Sequence, residues 1–310
     1  MTSLHKEVGN ILYSPCVSIT IDTESDFRHI EDLFQGGDWI FRGHTNAGWF
    51  LKTTLERSLA DKGDKRRYSR IDEMCAIKEF AANEKNLCKD SFSDIEYLAV
   101  MQHYGRPTRL LDFTPNIRKA LFFSEAYEKG SAHAIWAVRL NAIYGDYRIF
   151  QEDFTTSFTL PIRQYHKRMM IFPSTYTGIS KRPFYEYLIK RANANIHAIE
   201  LEYENKIKPG VQPLFVDQNN PRQIEQEGIF LFSNNFNSFV DNLAYSMDVD
   251  SNNILSPPEI GSVRYFENMK EHWNRIVLVK MVLGYSFANA AQGILERAQI
   301  SKETMLPERE

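Results

Sequence analysis

Three stretches of this chain gather residue types that grip anions or carry charge. The first is Trp39-Ile40-Phe41-Arg42-Gly43-His44, followed by Trp49-x-Leu51 and Leu55-x-Arg57. The second is Gln102-His103-Tyr104-Gly105-x-Pro107-Thr108-Arg109-Leu110-Leu111-Asp112-Phe113-Thr114, running into Ala120-Leu121-Phe122-Phe123. The third is Asn220-Pro221-Arg222-x-x-x-Gln226-x-Gly228-x-Phe230. An arginine at the end of a strand and followed by glycine lets backbone approach an anion while the guanidinium grips it bidentately. Arg42-Gly43 has that form. Each of these groups also has a plainer use. Arg42 can pair with Asp112, and Arg109 and Asp112 can lock the turn at Pro107. Thr114 can cap a helix opened by Pro115. His103 suits the last turn of a helix, where its positive form is favoured.

The elements that must hold these residues can be read from pattern. Val17–Ile21 and Trp39–Phe41 read as short strands around a charged helix at Asp26–Phe34. Ile71, Met74, Ile77, Ala81 and Leu87 recur at helical spacing, predicting an amphipathic helix over 71–88. Residues 95–103 continue as helix and stop at Gly105 and Pro107. The Thr114-Pro115 helix is expected to run to Gly130. Residues 134–140, 228–232 and 275–281 have strand composition, 288–298 a short helix, and 141–215 no clear periodicity. Strands flank helices without a βαβ rhythm, so the expected fold is α+β, a mixed or antiparallel sheet core with flanking helices.

Composition bounds the function. At 310 residues the chain can bury a sizeable core, and 43% hydrophobic with 25% charged residues is globular. A net charge of −3 gives no global pull toward nucleic acid. Two basic runs stand out: Lys62, Lys65, Arg66, Arg67 and Arg70, then Arg163, His166, Lys167 and Arg168. They are either solvated faces or local phosphate strips. The high aromatic content, 21 Phe and 15 Tyr, serves either a core or base stacking. Cys75 and Cys88 read as small buried hydrophobes, and three cysteines without metal spacing fit a reducing compartment. With no apolar run long enough to cross a bilayer, a cytoplasmic protein without membrane contact is expected.

Together the three blocks resemble the FRG family, named for its Phe-Arg-Gly tripeptide. The stretch Leu295 to Pro307, with Ile300-Ser301 before Leu306-Pro307, is similar to that family's ending. The resemblance implies one FRG domain over 38–307, with an N-terminal extension at 1–37 and the insert near 141–215. The order of motifs is also similar to arginine–serine–glutamate ADP-ribosyltransferases. Arg42-Gly43 resembles their NAD-holding strand, and Leu110 to Thr114 their strand entering a helix. Glu225-Gln226-Glu227-Gly228 resembles the acidic pair before a strand.

That second resemblance implies an NAD-consuming transferase acting as a toxin or defence effector. Glu227, Arg42 and Thr114 would be catalytic. Arg42, Gly43, His103, Tyr104, Arg109, Asp112 and Gln226 would bind NAD, which is substrate here, and no metal is expected. Scission of the nicotinamide–ribose bond develops a ribose cation that a carboxylate stabilises. Nucleic acid is the favoured acceptor, RNA or DNA, with an antitoxin protein as a neutralising partner. Gln226 stands as the alternative to Glu227. A non-catalytic nucleotide or nucleic-acid binding module is the alternative function, and a metal-dependent nuclease a more distant one.

Overall fold

A computed structural model describes residues 14–35, 39–61, 68–87, 92, 94–128, 130–144, 210–214, 227–262, 273 and 275–306. In chain order these form β1 Cys16–Ile21, α1 Glu24–Phe34, β2 Trp39–His44, α2 Thr54–Asp61, α3 Arg70–Asn83, α4 Asp94–His103 and β3 Leu110–Phe113. They continue with α5 Ile117–Ser124, β4 His133–Arg139, α6 Leu140–Tyr144, β5 Val211–Leu214, β6 Ile229–Ser233, α7 Phe239–Met247 and α8 Ser251–Leu255. The last elements are β7 Glu259–Ser262, β8 Leu278–Leu283, a 3-10 turn Tyr285–Phe287, α9 Ala288–Arg297 and α10 Lys302–Met305.

Two sheets carry the fold. The larger has the order β2-β4-β8-β1-β7; β2–β4 and β4–β8 are antiparallel, while β1 is parallel to both β8 and β7. The smaller, β3-β6-β5, is antiparallel throughout. This is the expected α+β class with a mixed sheet. β1 falls within the expected N-terminal extension, yet it is an interior strand paired along its whole length with β8.

Alternation along the strands sorts side chains into layers. On one face of the large sheet, Ile19, Phe41, Ala137 and Met281 pack against Phe27 and Ile30 of α1, Leu121 of α5 and Leu295 of α9. On the other face Ile40, Val138, Leu278 and Cys16 meet Leu111, Phe113, Ile229 and Leu231 of the small sheet, with Phe239 of α7. Beyond the small sheet, Leu110, Phe230 and Phe232 pack on Ile77 and Phe80 of α3 and on Leu98 of α4. The layers therefore run helix, sheet, sheet, helix.

Backbone hydrogen bonds link the two sheets at one corner. Phe41 and Thr114 exchange both backbone hydrogen bonds, 2.7 and 2.9 Å, as a single bridge between β2 and the end of β3. The strands then diverge. On the far side of β2 lies α5, and a Cβ added at Gly43 would collide with the backbone of Ala120, Phe123 and Ser124. The glycine is what lets the helix rest on the strand.

Several local expectations shift. Asn116, not Thr114, caps α5, accepting from the N–H groups of Arg118 and Lys119. Thr114 is drawn into the bridge instead, and α5 stops at Ser124 rather than Gly130, with Glu125 in the left-handed conformation ending it. The first long helix ends at Asn83, not near Cys88. Its buried stripe is Glu73, Ile77 and Phe80, so Ile71 is 65% exposed. Cys75 is likewise exposed, contrary to expectation, while Cys16 is buried. Cys88, both basic runs except Arg70, and almost all of 141–215 lie outside the described residues.

Candidate functional site

The tripeptide Phe41-Arg42-Gly43 divides three tasks between two faces of β2. Phe41 enters the outer core, edge-on to Phe34 at 5.1 Å. Gly43 admits α5 on that same side, so the space its missing side chain leaves is filled by protein. Arg42 alone points inward, toward the gap where the sheets separate.

There its Nη1 donates to the Asp112 carbonyl at 2.8 Å and lies 3.6 Å from the Asp112 carboxylate. Antiparallel alternation turns the carbonyl of Asp112, two residues before Thr114, toward β2. Arg42 thus takes the ladder position left open when the strands diverge. Its Nε donates to Nε2 of His44 at 3.2 Å, and its side chain is 16% exposed. No bond from Nη2 occurs among the described residues.

Because Nε2 of His44 accepts, the ring is neutral with its proton on Nδ1. Burial pushes its pKa down to about 3; the positive charge of Arg42 adds to that, a contact with the Trp49 backbone opposes it, and the charges of Arg57 and Lys280 add less. Burial also lowers the pKa of Arg42, with Asp112 opposing and Arg57 reinforcing the shift. Three cations therefore converge around a neutral imidazole. The ring lies between Trp49 and Trp136, with centroids 6.3 and 6.4 Å away. Trp49 is 52% exposed.

Asp112 is held from a second side. Gln102 of α4 donates to its carboxylate at 2.7 Å, while the Gln102 carbonyl accepts from Thr54 at 2.9 Å and Thr108 at 2.6 Å. This network fixes the start of α2 and the turn before β3 against α4.

The remaining predicted residues are spread around this corner. Arg109 is 2% exposed and pairs with both oxygens of Glu73 at 2.9 Å. It also donates to the carbonyls of Ser233 and Asn234 and lies between the rings of Phe232 and Phe236. Buried in that way, it serves the packing of α3 on β6. His103 and Tyr104 stand edge-on at 5.4 Å at the end of α4, where Tyr104 packs toward Phe80. Thr114 is buried and its hydroxyl accepts from the Asn116 N–H.

Glu227 precedes β6 in the left-handed conformation, φ 50°, and pairs with Lys119 of α5 at 3.5 Å. It is three residues from Phe230, the partner of Asp112, about 10 Å along the strand. The structure thus places Arg42 on β2 and Asp112 on β3, with Glu227 just before β6, and does not join Arg42 to Glu227. Gln226 and the segment Asn220–Arg222 lie outside the described residues.

Sequence reading missed Lys280. Register places it two strands from Arg42, with Trp136 between them. The signal was available: Lys280 interrupts an apolar strand just as Arg42 does. Elsewhere, a cavity of about 430 Å³ opens between α1, α5 and α9, with Arg28, Arg118 and Arg297 on its wall. Each of these arginines already pairs with a glutamate, Glu24 or Glu31. No group of acidic, histidine or cysteine side chains suited to a metal ion occurs among the described residues. None of their helices is long and apolar enough to cross a membrane.

Residues 37–133 match the family model of the FRG domain. The matched segment begins just before β2 and ends at the first residue of β4, so it spans the Arg42 corner and the Gln102–Asp112 network. No curated protein and no solved structure matches the chain.

Proposed function

We propose that this chain, which carries an FRG domain, is an NAD-dependent ADP-ribosyltransferase acting as a toxin or defence effector. The carrying observation is the adjacency of β2, β3 and β6. The Phe41–Thr114 bridge and the β3–β6 ladder make neighbours of strands that are far apart in sequence, and this adjacency supports the reading. Arg42 would hold the dinucleotide, Thr114 would set the corner, and Glu227 would stabilise the ribose cation as nicotinamide leaves. Nucleic acid is the proposed acceptor, because exposed Phe50 offers a face on which a base can stack.

The test is nicotinamide release from NAD by the purified chain. Glu227→Gln should lower turnover by about 10²–10³ with little change in NAD affinity, because the stabilised charge appears in the transition state. Arg42→Lys keeps charge but loses the planar fork, and should weaken NAD binding. Normal turnover in Glu227→Gln would remove that carboxylate from the mechanism. A second reading, a nucleotide-binding module without turnover, is favoured by the pairing of Glu227 with Lys119 rather than with the Arg42 cluster. It predicts NAD binding with no nicotinamide released.

A further inference from the structure

The inner face of the large sheet changes character one row beyond its apolar contact with the small sheet. Ile40, Val138, Leu278 and Cys16 form the apolar row; the next row in register is Arg42, Trp136, Lys280 and Ser18. Adjacent strands lie about 4.8 Å apart, so the backbones of Arg42 and Lys280 are about 10 Å apart with Trp136 between them. Lys280 lays its ammonium 5.1 Å from the Trp136 ring centroid.

Lys280 is half-buried and pairs with no carboxylate among the described residues. Across the sheet Glu259 instead accepts from Thr20 at 3.2 Å. Arg57 also has no ion pair among the described residues, and Asp112 already accepts from Gln102. An amine drawn out of water without a counter-charge is costly, and burial lowers its pKa. The rings of Trp136, His44 and Trp49 follow one another from the buried row to the surface.

We infer that Arg42 and Lys280 together take the diphosphate of a nucleotide, while Trp49 stacks on its aromatic ring. Two cations straddling an indole fit a two-phosphate anion better than a single small one. Nη2 of Arg42 and the Lys280 ammonium supply the free donors, and neutral His44 avoids crowding the site with a fourth positive charge. The inference rests on the nucleotide reading of the same corner, and does not require turnover.

The test is calorimetric titration of the full chain with inorganic pyrophosphate and, separately, ADP-ribose. Both should bind. Lys280→Met, which keeps the apolar stem over Trp136, should weaken both about tenfold or more through loss of a charge-assisted contact. Lys280→Arg should restore binding, guarding against misfolding as the cause. Lys78→Met, on the exposed side of α3, should change neither. Trp49→Ala should weaken ADP-ribose and leave pyrophosphate unchanged. Failure of pyrophosphate to bind, or equal losses in Lys280→Met and Lys78→Met, would overturn the site. Binding that depends on Lys280, in a protein that never releases nicotinamide from NAD, would uphold the site and remove the transferase reading.

Discussion

Two arginines of the same matched segment stand in contrasting surroundings. Arg109 has a bidentate carboxylate, two carbonyls and two aromatic faces around it, and is 2% exposed. Arg42 has one carbonyl, one imidazole and a carboxylate at 3.6 Å that is itself half-exposed. Burial with complete pairing marks a side chain that the fold requires. Partial burial with a donor unused among the described residues, beside further cations unpaired among them, marks one that the fold leaves available. The type of residue is identical, and only its accounting of partners separates the roles.

The largest expected effect tests the first half of that contrast. Glu73→Ala leaves the Arg109 guanidinium buried without its counter-charge, and should cost about 3–5 kcal/mol of stability. Urea denaturation measures it. A cost under about 1 kcal/mol would mean that the Glu73–Arg109 pair is no more structural than a surface bridge.

His44 gives the next effect, and its sign is fixed by linkage. Its folded pKa, about 3, lies below the ordinary 6.5, so the unfolded chain binds the extra proton between those values. The stabilisation is complete above pH 6.5 and is lost as pH falls toward 3. Between pH 7 and pH 5 the loss should be about 2 kcal/mol, at 1.36 kcal/mol per unit. His44→Gln, which can still accept from Arg42, should flatten that part of the stability–pH curve. An unchanged slope would show that burial and the cations around His44 do not hold it neutral.

The sequence was legible where periodicity and burial agree. β1, β2, β4, β6 and α9 lie within a few residues of their predicted positions, because continuous apolar runs and alternation are local signals. It failed where a buried position is polar. The stripe on α3 begins at Glu73, so apolar counting rotated the helix toward Ile71, which faces solvent. Thr114 carried a cap signal, but its backbone is claimed by Phe41, which moved the cap to Asn116. The parallel insertion of β1 between β8 and β7 is a long-range pairing that no local pattern encodes. For the candidate site, the Phe-Arg-Gly block was legible as a grip. The sequence offers Gly43 as a close approach to ligand, whereas the structure packs α5 there. Lys280 was overlooked because its strand reads as buried core.

The smallest expected effect bears on Arg42 itself. If Arg42 chiefly wedges the diverging strands, its loss should destabilise the chain on the scale of Glu73→Ala. If it is available to ligand, Arg42→Ala removes hydrogen bonds to the Asp112 carbonyl and to Nε2 of His44, and a long ion pair to a half-exposed carboxylate. Those contributions are each about 1 kcal/mol or less. The apolar rows on either side of β2 remain packed, and Gln102 still holds Asp112. Thermal and urea unfolding of Arg42→Ala should therefore show a loss of about 1–2 kcal/mol, with pyrophosphate binding reduced far more than stability. Asp112→Asn should cost still less, since the Gln102 amide can still donate to the Asn carbonyl. It should strengthen anion binding slightly by removing the negative charge beside Arg42. A several-kcal/mol loss in Arg42→Ala, or weaker anion binding in Asp112→Asn, would place Arg42 with Arg109 as a structural arginine and end the distinction between them.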